Sequence, residues 1–183
     1  LTKMVSSEKS ADFELVSAAI LALGFTPGPE SQRTLTEVFK NKKYRAELRA
    51  MAAESFGRRG SLADGQDLLI DALTDREIDI RRSAAIALGV LDYRTAAERE
   101  IDALTAPYDT SMGAPLPADV QAKVTELKKA VPAQREVLDK PTREIVKKLA
   151  HALENDTDQF VCGMAAISLG RIAAVTGDAV AIR

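Results

Sequence analysis

The stretch DREIDIRRSAAIALGVL, residues 75–91, decides the fold. Its Ile80, Ala84 and Leu88 stand nine, five and one residues before Gly89, offsets that fall on a single stripe of an α-helix. The same pattern recurs in AAILALG ending at Gly24, AAESFG ending at Gly57 and AAISLG ending at Gly170. Aligned on the glycine, Ala19, Ala52, Ala84 and Ala165 lie five before it, while Leu23, Phe56, Leu88 and Leu169 lie just before it. Nine before it stand Leu15, Leu48, Ile80 and Val161. The first three glycines are 33 and 32 residues apart, a period that marks a repeat architecture. The small alanine lets a neighbouring helix approach, and the glycine is expected to close the helix in a left-handed turn.

A second amphipathic helix precedes each of these. Ile145, Leu149 and Leu153 form an i, i+4, i+8 stripe, and Leu69 and Leu73 share that spacing. The resulting map has helices near 10–24, 29–40, 44–58, 61–74, 77–91, 94–105, 117–131, 141–154 and 158–174. Pro141 fits a first helical turn, and Asp156 or Thr157 is expected to cap the last helix. Gly89 and Gly170 are 81 residues apart, which reads as one degenerate repeat over 94–140 carrying the insertion APYDTSMGAPLP at 106–117. The whole of 1–183 is expected to be one repeat domain cut from a longer array, since TGDAVAIR begins the pattern of a further helix.

Composition agrees with helices. Hydrophobic residues make up 46% and charged residues 28%, so the chain is not of the disordered class. Aromatic residues are only 4% and Trp is absent, which disfavours a β-sandwich. A net charge of −2 gives no global attraction to nucleic acid or to an anionic membrane. No run of about 18 uninterrupted apolar residues occurs, so membrane insertion of this segment is not expected, and LTKMVSSEKSADFE lacks a signal-peptide core. The single Cys162 excludes an intrachain disulfide and leaves the compartment open, with the cytoplasm as the default.

The phrase at 75–91 resembles the HEAT-like repeat first associated with phycobilin lyases, whose second helix reads acidic, apolar, Arg, two residues, Ala-Ala, then Ala-Leu-Gly. Asp79, Ile80, Arg81, Ala84, Ala85, Ala87, Leu88 and Gly89 occupy those places. The resemblance implies an all-α fold: an α-solenoid of stacked antiparallel helix pairs in a right-handed superhelix. It also implies an acidic–Arg ladder, matched by Glu47 with Arg49 and Asp79 with Arg81, whereas Val16 and Cys162 stand in place of Arg in the outer repeats.

Chemistry is sparse. His151 is the only histidine, and it is followed by Ala152 rather than by the Glu of the repeat-class metal-binding hydroxylases. Cys162 has no second His to activate a thiolate, and neither GxGxxG nor GxxxxGK[ST] is present. No catalytic, metal-binding or cofactor residue is assigned. Charge is uneven: from Arg33 to Arg59 eight basic residues face three acidic ones, and from Ser61 to Ile80 six acidic residues face one basic. Complementary charge between neighbouring repeats explains this better than a nucleic-acid site, although Lys40, Lys42, Lys43 and Arg45 cluster beside Tyr44. The expected function is a scaffold holding another macromolecule, most naturally a protein, on a concave face lined by second helices. Its candidate contacts are Lys42, Lys43, Arg45, Arg49, Arg81, Arg82, Tyr108 and Met112. A chromophore lyase-like or DNA glycosylase-like enzyme of the same superfamily and a structural spacer remain as alternatives.

Overall fold

The computed structural model describes residues 2, 13–60, 62–108 and 115–177, and among them the chain is all-α, without a strand. Eight helices follow in order: α1 (Phe13–Phe25), α2 (Pro29–Lys40), α3 (Ala46–Arg59), α4 (Leu62–Ala72), α5 (Ile78–Val90), α6 (Ala96–Thr105), α7 (Ala118–Asn155) and α8 (Gln159–Thr176). Contacts gather the chain into two compact units, Leu1–Asp92 with Ile145–Arg183, and Tyr93–Glu144. The second unit nearly coincides with 94–140, where the repeat pattern degenerates.

In the first unit the four helices that carry the aligned glycines pack in sequence, α1 on α3, α3 on α5 and α5 on α8. This last contact forms even though the whole second unit intervenes in the chain. The apolar stripe supplies the core: Ile80, Ala84, Leu88, Val161, Ala165, Leu23, Ala52 and Phe56 are all buried. One stripe position differs. Leu15 is 45% exposed, and Val16, one residue on, is buried in its stead, so the buried face of α1 is carried by Val16, Ala19, Ile20 and Leu23.

The repeat glycines are not helix caps. Gly24, Gly57 and Gly89 lie within their helices, and positive φ occurs instead at Gly28, Gly60 and Gly177. Their purpose is close approach. A Cβ on Gly24 would sit 3.1 Å from the Ser55 Cα, one on Gly57 would sit 2.7 Å from the Ala87 Cα, and one on Gly89 would sit 2.7 Å from the Ser168 Cα. Ser55, Ala87 and Ser168 each stand two residues before the next repeat glycine, so the three junctions share one register. At two of them the serine hydroxyl also crosses the junction, Ser55 Oγ donating to the Ile20 carbonyl at 3.0 Å and Ser168 Oγ to the Ala85 carbonyl at 2.7 Å. Both acceptors lie four residues before their glycine, which keeps each buried hydroxyl satisfied without disturbing the register.

The second unit is organised around the start of α6. Thr95 and Glu98 form a reciprocal capping box. The Gln134 side-chain oxygen accepts from Ala97 N at 2.9 Å, and Arg135 donates to the Tyr93 carbonyl at 2.8 Å and to both Glu98 oxygens. Those bonds correct the helix map. Two helices, 117–131 and 141–154, were expected with a break at the prolines, but α7 runs unbroken through Pro132 and Pro141. Proline removes a donor yet keeps a helical φ, and Gln134 and Arg135 fasten the turn after Pro132 to α6. Thr142 Oγ1 adds a bond to the Leu138 carbonyl beyond them. Because Pro132 is exposed, Pro132→Ala restores a main-chain donor with no core to repack. It is expected to stabilise the protein by up to about 3 kcal/mol. A thermal midpoint that falls would contradict a continuous α7.

Candidate functional site

The two most buried candidate arginines serve the fold. Arg49, on α3, donates Nε to the Phe39 carbonyl at 2.9 Å and Nη2 to Asp75 at 3.1 Å. Arg81, on α5, makes the equivalent bonds one repeat later: Nη1 to the Asp75 and Arg76 carbonyls, and Nε and Nη2 to the Asp156 carboxylate at 2.7 and 3.1 Å. Each arginine lies eight residues before its glycine, and each acid, Asp75 or Asp156, lies fourteen before the next glycine. The two arginines are therefore paired with Asp75 and Asp156, the acids that precede the next glycine-aligned helix. The ladder does not use Glu47 with Arg49 or Asp79 with Arg81, because side chains two apart on a helix do not face each other.

Where the ladder lacks its arginine, other chemistry fills the position. On α8 that place is held by Cys162, whose thiol donates to the Asp156 carbonyl at 3.4 Å. The cap of α8 is Asp158, which accepts from Phe160 N and Val161 N, so Asp156 is the ladder acid and not the cap. Arg82 chelates Asp158 at 3.0 and 2.8 Å and lies over the Phe160 ring at 4.9 Å.

Electrostatics follow from these bonds. The Arg81 hydrogen bonds hold the Asp156 carboxyl below its ordinary range, and Asp156 in turn raises Arg81. Arg82 does the same to Asp158. In the second unit burial raises Glu98, but the Thr95 backbone bond and Arg135 outweigh it and leave the carboxyl lowered.

Above the Arg81–Asp156 pair opens a cleft of about 450 Å³. The end of α4 and its following turn form one wall through Ile70, Asp71, Leu73, Thr74 and Asp75. The last turns of α7 form the other through Lys148, His151, Ala152 and Asn155, and Thr157 follows them. Leu73 and Ala152 are buried, whereas Asp71, Thr74, Lys148, His151, Asn155 and Thr157 are exposed at the rim. The His151 ring nitrogen Nδ1 lies 3.1 Å from Asn155 Nδ2, within hydrogen-bond distance, and Asn155 Nδ2 also donates to the His151 carbonyl at 3.0 Å. Among the described residues no group of three His, Cys, Asp or Glu side chains could hold a metal ion.

The remaining candidates are scattered. Lys42 and Lys43 are exposed in the turn before α3. Arg45 pairs with Glu47 at 3.0 Å and stacks on Phe13 at 4.6 Å. Tyr108, in the second unit, is exposed just after α6. Met112 and the central half of the insertion at 106–117, residues 109–114, lie outside the described residues. Among the described candidates, Arg81 alone lines the cleft. Asp75 and Asp156 were within reach of the repeat alignment, because their shared distance from the next glycine is a sequence property. Lys148, His151 and Asn155 carry no such signal. Among the described residues one helix, α8, is long and apolar enough to cross a membrane by length and composition, and in this fold it packs on α5.

The chain matches no protein-family model and no curated protein.

Proposed function

We propose that the chain is a HEAT-like α-solenoid, a right-handed stack of antiparallel helix pairs, and that it works as a scaffold that holds a protein partner. The observation that carries this reading is the common register of the three helix junctions. Stacks in which each repeat contacts its neighbours expose long continuous surfaces suited to holding extended partners.

The cleft between α4 and the end of α7 is the place proposed for such a segment. Its buried Leu73 and Ala152 offer apolar contact, while Thr74, His151, Asn155 and Thr157 offer hydrogen bonds at the rim. That mixture suits a peptide chain. Arg81 and Asp156 cancel one another at its base. Nucleic acid is disfavoured, because Arg45, Arg49, Arg81 and Arg82 each pair with a carboxylate. The exposed lysines left in that cluster, Lys40, Lys42 and Lys43, are too few to supply the phosphate contacts that drive such binding.

A photo-crosslinking residue at position 151 tests the reading against one at position 129, on an exposed side chain of the second unit. In source-cell extract, position 151 is expected to yield a defined protein adduct that position 129 does not, and Asp71→Lys with Asn155→Leu is expected to suppress it. Lys42→Glu with Lys43→Glu should leave the adduct unchanged, since exposed charges contribute weakly. Equal labelling at both positions, or an adduct with RNA or DNA lost in the lysine double variant, would reject the proposal.

A further inference from the structure

The cleft between α4 and the end of α7 is uneven in what it still offers a ligand. Its cations are committed. Arg81 directs Nε and Nη2 to the Asp156 carboxylate and Nη1 to the Asp75 and Arg76 carbonyls, and Lys148 has an interaction of its own. Two of its three carboxylates are paired as well, Asp75 with Arg49 at 3.1 Å and Asp156 with Arg81 at 2.7 Å. The third is Asp71, exposed on the α4 wall. Among the described residues its carboxylate has neither an ion-pair nor a hydrogen-bond partner.

The neutral groups lean the same way. Thr74 Oγ1 directs its hydrogen to the Asp71 carbonyl at 3.0 Å, and Asn155 Nδ2 donates to the His151 carbonyl at 3.0 Å. The Thr74 hydroxyl oxygen and the Asn155 side-chain oxygen are left as acceptors. The cleft also holds the buried Leu73 and Ala152. Acceptors beside apolar surface, with one uncompensated carboxylate, are complementary to a long side chain that carries an apolar stem and a cationic head with donors only. A volume of about 450 Å³ lies toward the lower end of ligand-sized clefts, room for one anchoring side chain and its flanking main chain.

We infer that the segment seated in the cleft presents a basic side chain to Asp71. The inference rests on the reading that the cleft holds a peptide segment, and it adds the chemistry by which that segment is chosen. Both Asp71 oxygens are open, so a guanidinium can engage them together.

Three blocked peptides test it at physiological ionic strength: acetyl-Ala-Arg-Ala-amide and its citrulline and glutamate counterparts. Citrulline keeps the shape of arginine and removes the charge. His151 is the only histidine, so its imidazole resonances report on the cleft without ambiguity when the full chain is titrated in a nuclear magnetic resonance experiment. The arginine peptide is expected to shift them and to bind up to about fivefold more tightly than the citrulline peptide, the size of one exposed ion pair, with glutamate weakest. Asp71→Asn should remove the advantage of arginine over citrulline, and Asp71→Lys should place glutamate above arginine. Glu37→Lys makes the same change in net charge at an exposed position on α2, outside the cleft, and should leave the order as it was. Indifference to the three peptides, a wild-type preference for glutamate, or an order unmoved at position 71 or moved equally by Glu37→Lys would each overturn the inference. Crosslinking at position 151 separates this result from the reading beneath it. A protein adduct alongside indifferent peptides rejects the basic side chain and keeps the cleft as a partner site, whereas ranked peptides without an adduct reject the protein partner and keep the basic ligand.

Discussion

Replacing Gly89 by alanine is expected to destabilise the protein, while the same replacement at Gly170 is expected to stabilise it. The two residues occupy identical places in the repeat and both lie inside helices, so an effect of helix propensity would have the same sign at each. Alanine in a helix interior is favoured over glycine by about 0.5–1 kcal/mol. Gly170 should realise that gain, because an added methyl group there meets nothing. At Gly89 the methyl would stand against the main chain and side chain of Ser168, and α5 and α8 must separate to admit it. Overpacking of this kind costs about 1–3 kcal/mol, which exceeds the propensity gain. Thermal midpoints of the two variants should move in opposite directions. Equal shifts at the two sites would mean that the junction register is wrong.

Removing Asp156 should have a larger effect. The Arg81 and Asp156 side chains are 13% and 8% exposed, against 34% for Arg82. Truncating one member of a buried pair leaves the other desolvated and uncompensated, a cost of about 3 kcal/mol at the lower end of the usual range. Asp156→Asn is therefore expected to lower stability by roughly that amount at neutral pH. Arg82→Ala, at a more exposed pair, should cost less. The sign of the pH dependence follows from the lowered carboxyl of Asp156. A carboxyl whose folded value is depressed contributes fully above its unfolded pKa of about 3.9, and the contribution disappears as pH falls through the lower folded value. The difference between wild type and Asp156→Asn should thus hold steady from pH 7 to about pH 5 and shrink below about pH 4. Denaturant titrations across that range check it, and a difference that persists undiminished into strong acid would show that the carboxylate charge is not what holds the ladder.

The amino-acid sequence alone determined the helical class and the buried stripe, because the recurrence of apolar residues along a helix is a local property. Ala84, Ala165, Leu88 and Val161 sit where that periodicity places them. It also determined which residues are special without determining why. A glycine at a helix end and a glycine under a crossing helix look alike in sequence, since both demand the absence of a side chain. Only the packing of Gly89 on Ser168 separates the two roles. The arginines of the repeat pattern were legible as a set, but not their acceptors. Arg81 and Asp156 are 75 residues apart, and they meet because α5 packs on α8 with the second unit intervening in the chain. That long-range closure was likewise beyond local reading, as was the passage of α7 through two prolines, which depends on bonds from Gln134 and Arg135 to α6. The cleft belongs to the same class. Its walls come from α4 and α7, and their side chains share a site only once Arg81 and Asp156 have drawn the two helix ends together.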